Sequence, residues 1–199
     1  QTVASACASA TLAMGNALAA LRAGEIDIAL AGGSDSLCRL TYAGFNSLRA
    51  VDPRACRPFR SEREGMSIGE GAAVLVLETA ASARARGARI LGWLLGAGAS
   101  CDAHHMTAPD PQGAGITRAV AAAFADSGLQ ASDIDFVNVH GTGTPHNDAA
   151  EAKMLRAVFG DRLPRLPLTS SKGAIGHYLG AAGAIEAVSD TRHTTATVR

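Results

Sequence analysis

A chain of 199 residues can bury one respectable core and leaves little room for a second. Its 18 basic and 18 acidic residues cancel, and no run of either sign appears, which argues against nucleic acid or an anionic membrane as partner. Abundant alanine and aliphatic residues, 22 glycines and few aromatics exclude a disordered chain and suit helices packed closely on strands.

In chain order, Ala8 to Arg22 is rich in Ala and Leu and stops at Gly24, which predicts a helix with Cys7 at its N-terminus. Residues 1–21 carry no formal charge, but Ser, Thr and Asn interrupt the apolar residues and no basic region leads them, so a signal peptide is rejected. Ile26 to Ala31, closed by Gly32-Gly33, and Ala72 to Leu77 each have the length of a buried strand. Between them, Arg49 to Arg63 holds Pro53, Pro58 and five arginines, an irregular surface loop that could receive something acidic or simply be solvated. Ile90 to Ala99 predicts a third strand and is far shorter than the ~20 residues of a membrane helix. A helix over Gly115 to Ser127, a strand over Ile134 to Val139, a helix over Asp148 to Phe159, a strand over Leu166 to Ser170 and a helix over Leu179 to Val188 complete an α/β alternation. No repeat and no linker divides the chain.

Cys7, Cys38, Cys56 and Cys101 form no C-x-x-C pair, which fits a reduced, cytoplasmic protein. A thiol at a helix start is stabilised as thiolate by the helix dipole and nearby N–H groups, and Ser5-Ala6-Cys7-Ala8-Ser9 leaves that sulfur uncrowded. The other three cysteines lack such a setting in the sequence. His140, in Val139-His140-Gly141-Thr142-Gly143-Thr144-Pro145, and His177, in Ser171-Lys172-Gly173-Ala174-Ile175-Gly176-His177, both follow strand ends, where α/β sites are assembled. Their glycines form neither a dinucleotide fingerprint nor a P-loop, and the histidine spacings form no local metal-ligand pair, so no metal or cofactor is expected.

Taken together these motifs resemble the β-ketoacyl-acyl carrier protein synthases of fatty-acid and polyketide assembly. The resemblance extends from Gln1 to about Val188. It is carried by the Cys7 segment, Ala31-Gly32-Gly33-Ser34-Asp35, Arg57-Pro58-Phe59, Gly69-Glu70-Gly71-Ala72, Asp102-Ala103-His104-His105-Met106-Thr107, the His140 turn and the Lys172 to His177 loop. The second histidine resembles the elongating Cys-His-His enzymes, whereas initiating relatives carry Asn and thiolases use a second Cys. The implied fold is a thiolase-like layered α/β arrangement, with helices covering mixed sheets, incomplete at both ends. Residues 1–80 would end the family's N-terminal half, 88–188 would supply most of its C-terminal half, and 189–199 would be a divergent tail.

The resemblance implies an acyltransferase in which Cys7 carries an acyl group and His140 and His177 stabilise the enolate left by decarboxylation of a malonyl thioester. Lys172 would add positive charge, oriented with Glu186, and Glu151 would be a further supporting acid. Thr142, Thr144, His105 and Thr107 would bind the pantetheine arm, and Phe45 would line the acyl pocket. Acyl carrier protein is the implied partner, its phosphopantetheine carrying the substrates, and the implied assembly is a homodimer or heterodimer. Relative to the family, the strands before the nucleophile and the glycine-rich Gly-Phe-Gly-Gly loop with its oxyanion-hole N–H are expected to be missing. An alternative reading is a non-catalytic remnant that binds carrier protein or synthase subunits.

Overall fold

The computed structural model describes residues 1–193. A three-residue 3-10 turn, Ala6–Ala8, leads into α1 (Ser9–Arg22); then follow β1 (Ile28–Asp35), α2 (Arg39–Ser47), β2 (Gly71–Glu78), α3 (Ala80–Ala85) and α4 (Ala114–Ser127). β3 (Val137–Asn138), α5 (Pro145–Phe159), β4 (Leu168–Thr169), α6 (Lys172–Ile175) and α7 (Ala182–His193) complete the order. Contacts divide these elements into two compact units, each assembled from separated stretches: 1–36, 70–97 and 178–193 in the first, 37–69 and 98–177 in the second. Because each unit is built by the chain leaving and returning, no linker composition marks the division.

In the first unit β1 and β2 pair antiparallel, from Ile28 opposite Glu78 to Asp35 opposite Gly71. α1 and α7 pack on this ribbon, and small side chains let them approach: Ala10, Ala31, Ala181 and Ala184 are all buried. Gly32-Gly33, expected to close the strand, instead lies inside it. A Cβ on Gly33 would stand 2.4 Å from the Gly180 carbonyl, and one on Gly32 would run into the Ala73 carbonyl, so the glycines are there for close backbone approach, not for a turn.

In the second unit Val139, Met154, Leu155, Phe159 and Leu166 form the core, with Ile116, Val120 and Phe124 of α4 against it. β3 and β4 pair parallel, which delivers the buried Val139, and after it His140, from the end of a half-buried strand. α5 begins one turn earlier than the sequence pattern suggests, with Pro145 at its first position, where the missing N–H costs nothing. It ends at Gly160 with φ +49°. The arginine-rich loop is ordered around Asp52, whose buried carboxylate accepts from Arg57 Nη2 at 2.7 Å and from the N–H groups of Arg54 at 2.8 Å and Glu64 at 3.3 Å. Burial pushes the Asp52 carboxyl up, but those donors outweigh it and hold it below the usual carboxylate range.

Two expectations need correction. Ile90 to Ala99 forms no strand; a strand exists only as a pairing, and Leu91, Trp93 and Leu95 are exposed rather than covered. α2 was not legible, and with it Cys38 turns out to have a helix-start setting after all: it is the N-cap, its sulfur accepting from the Thr41 N–H at 3.4 Å. Of the segment set apart as a divergent tail, residues 189–193 lie in α7 and residues 194–199 lie outside the described residues.

Candidate active site

The strand end after Val139 opens into a turn whose backbone is held group by group. The Glu151 carboxylate, on α5, accepts the His140 N–H at 2.6 Å through Oε1 and the Gly141 N–H at 2.8 Å through Oε2. Ser170 Oγ donates to the Gly141 carbonyl at 2.9 Å, and Asp148 Oδ1 accepts the Gly143 N–H at 3.2 Å. Gly141 and Gly143 have φ of +46° and +74°, conformations that disfavour any side chain. Thr142 and Thr144 Oγ1 atoms lie 2.8 Å apart and form one hydroxyl pair.

His177 is pinned in the same manner from another stretch. Its N–H donates to the Ser67 carbonyl at 2.7 Å, and its carbonyl accepts from the Gly69 N–H at 2.9 Å. Gly176, with φ +79°, makes the approach possible, since a Cβ there would be 3.1 Å from the Ser67 carbonyl. His177 is fully buried, and its ring meets His140 edge to face, centroids 5.2 Å apart and planes at 84°. Lys172, which opens α6, is 1% exposed.

Burial, and next the positive charge of Lys172, lower His140 from 6.5 to about 3. Burial, then His140, then Lys172 lower His177 to about 2. Both imidazoles are therefore neutral across the physiological range, and each can present an N–H donor. Burial pushes the Glu151 carboxyl up, against the two backbone donors that favour its ionised form.

The first unit holds Cys7 in the 3-10 turn ahead of α1, half-buried. The preceding Ala6 has φ +44°, a left-handed conformation that costs a non-glycine residue energy. Ser9 stabilises the bend: its Oγ accepts the Ser5 N–H at 2.8 Å and donates to the Ala6 carbonyl at 2.7 Å. Gly180 donates its N–H to Asp35 Oδ2 at 3.0 Å, fixing the 3-10 turn Leu179–Ala181 against β1. Glu186 belongs to this unit, on α7, and is half-buried.

Of the residues expected to line the site, His140, Thr142, Thr144, Glu151, Lys172 and His177 all lie in the second unit, four of them buried. His105 and Thr107 are exposed on a segment without regular structure, where His105 Nδ1 accepts the N–H groups of Thr107 at 3.1 Å and Ala108 at 3.2 Å. Phe45 lies half-buried on α2. Sequence reasoning missed Asp148 and Cys56. Asp148, 1% exposed, also accepts the Phe59 N–H at 2.7 Å and so ties the Arg57-Pro58-Phe59 loop to the histidine turn. The signal that could have found it is an acidic residue three positions into a helix that starts at a proline.

Residues 91–191 match the family model for the β-ketoacyl synthase C-terminal domain and residues 1–83 the model for its N-terminal domain. The chain belongs to the β-ketoacyl synthase family. The Staphylococcus aureus 3-oxoacyl-[acyl-carrier-protein] synthase 2 is 41% identical, over 92% of this chain and 47% of its own length. The solved ishigamide ketosynthase/chain length factor superposes with a TM-score of 0.90 at 43% identity, covering 96% of this chain and 46% of that one. A type II polyketide ketosynthase solved with its acyl-carrier protein and bound to the hexaketide gives 0.91 at 35%, over 94% and 48%. The chain thus spans about half the length of the relatives it matches. The matches bear out the α/β, thiolase-like fold. No helix among its described residues is long and apolar enough to cross a membrane.

Proposed function

We propose that this chain carries the condensing chemistry of a 3-oxoacyl-[acyl-carrier-protein] synthase of fatty-acid or polyketide synthesis. The observation that supports it most is the neutral His140–His177 pair at 5.2 Å, its second ring fully buried, flanked by a buried lysine. In the first step the Cys7 thiolate attacks an acyl thioester of acyl carrier protein, the pantetheine thiolate leaves, and the acyl group rests on Cys7. A malonyl thioester then loses carbon dioxide, the C–C bonding pair becoming an enolate whose oxygen receives N–H donors from His140 and His177. The enolate carbon attacks the acyl carbonyl, the Cys7 thiolate leaves, and a β-ketoacyl thioester remains on the carrier protein. Lys172 helps keep both imidazoles neutral, so that they act as donors and do not exchange their charge state during the cycle.

In this reading Thr142 and Thr144, with His105 and Thr107, bind the pantetheine arm and Phe45 lines the acyl pocket. Glu151 positions the His140 turn, and Glu186 is the acid associated with Lys172. Residues 1–80 and 88–188 are the parts of the family's two halves, and the full protein pairs with a like or related subunit in a reducing, cytoplasmic setting. The carrier-protein complex of the polyketide relative supports acyl carrier protein as partner.

Intact mass of the chain and of Cys7→Ser after incubation with an acyl-carrier-protein thioester tests the reading. An acyl-sized gain in the unsubstituted chain alone is expected. Equal gains in both, or none in either the chain or a longer form of the protein, would sink it.

A further inference from the structure

Cys56 is 4% exposed and 86 positions from the residue it touches. Its Sγ lies 3.1 Å from the Thr142 carbonyl oxygen, a thiol donating to a peptide acceptor. The N–H of the same peptide group, on Gly143, donates to Asp148 Oδ1 at 3.2 Å. One peptide plane is therefore held at both ends, by a sulfur on the oxygen side and a carboxylate on the nitrogen side. The backbone that carries the sulfur is itself tied, the Cys56 N–H donating to Ser67 Oγ at 3.0 Å. The contact is close along its length: a Cβ on Gly143 would sit 2.9 Å from the sulfur and 2.6 Å from the Gly65 carbonyl.

The clamped peptide lies between the two threonines whose hydroxyls stand 2.8 Å apart. We infer that Cys56 is a positioning residue, its thiol fixing the Thr142–Gly143 peptide so that the two threonine hydroxyls are held as a pair for a pantetheine amide. This rests on the proposed reading of Thr142 and Thr144 as the pantetheine-binding hydroxyls. Burial pushes the Cys56 thiol up, which keeps the proton that the donor needs.

The test titrates reduced pantetheine into the isotope-labelled 199-residue chain and its Cys56→Ala, Cys56→Val and Cys56→Ser variants, following the Gly143 and Thr144 amides by NMR. One lost donor of this kind is expected to weaken pantetheine binding about fivefold and to speed Gly143 amide exchange by a similar factor. Valine fills the site without a donor, and serine restores one, so Val and Ala should fall together while Ser returns both readouts to the original. If Ala unfolds the chain, the Val against Ser comparison decides. Unchanged binding and exchange in Val, a Ser variant as weak as Val, or an unsubstituted chain that does not bind pantetheine overturns the inference. Normal pantetheine binding with no acylation of Cys7 in the chain or in a longer form of the protein would refute the proposed reaction and leave this positioning role standing.

Discussion

The His140 turn and the Cys7 bend hold their side chains by opposite means. From His140 to Gly143 the backbone is caught by Glu151, Ser170, Cys56 and Asp148, and the His177 ring is withdrawn from water. At Cys7 one strained residue, Ala6, and one hydroxyl, Ser9, set the conformation, and the sulfur stays half-buried. Groups that must hold a fixed charge state and aim a hydrogen bond benefit from a dense polar cage. A nucleophile that must be reached by a bulky thioester benefits from exposure, with its geometry stored in the local chain.

The contrast predicts a pH dependence that belongs to the histidine side. Between pH 6.5, where an unfolded histidine titrates, and the folded values of about 3 and about 2, the unfolded chain binds more protons than the folded one. Stability is thus fully present above pH 6.5 and is lost as pH falls, by about 1.4 kcal/mol per pH unit for each histidine inside the window. Glu151, pushed up by burial, binds its proton at higher pH in the folded state than in the unfolded one and so opposes part of that loss. Urea titrations from pH 7 to pH 5 on the chain and on His177→Phe should show a steeper fall in the chain; equal slopes would mean that the imidazoles are already charged or already solvated.

Glu151→Ala breaks the cage at its firmest point. It orphans the His140 and Gly141 N–H groups, the latter on a buried residue, at about 1–3 kcal/mol each. We expect a loss of about 2–4 kcal/mol in urea midpoint analysis at pH 7. Glu151→Gln keeps one acceptor oxygen and should cost clearly less. An Ala variant as stable as the chain would show that water satisfies the turn and that the cage is not what fixes His140.

How much of this was readable beforehand divides along the same line. The helix after Cys7, the strand before His140 and the glycine stops at Gly128 and Gly160 are local signals, and the structure carries all of them. The histidines and Lys172 were found through motif order, and the structure gathers them with Glu151 in one unit. What stayed hidden depends on distant chain. Gly32-Gly33 reads as a stop until the Gly180 carbonyl is known to lie above it, and Ile90 to Ala99 reads as a strand although none pairs with it among the described residues. Asp148 and Cys56 look like an ordinary helix residue and a buried thiol, because the groups they hold are 89 and 86 positions away.

The smallest expected effect probes the Cys7 side. Ser9→Ala removes a hydroxyl that accepts from Ser5 N–H and donates to the Ala6 carbonyl, both hydrogen bonds being in exposed surroundings. Water can replace each partner there, so global stability should fall by only about 0.5–1 kcal/mol. The bend itself should suffer more than the number suggests, since Ala6 at φ +44° persists only while its neighbours hold it. Alkylation of Cys7 by iodoacetamide, followed by intact mass against the unchanged rate at exposed Cys101, separates the two effects. A changed Cys7 rate with nearly unchanged stability would mean that the setting of this thiol is stored locally. If both rates and the stability stay as they were, the strained residue is held by the helices around it, and the two sites differ less than their hydrogen bonds imply.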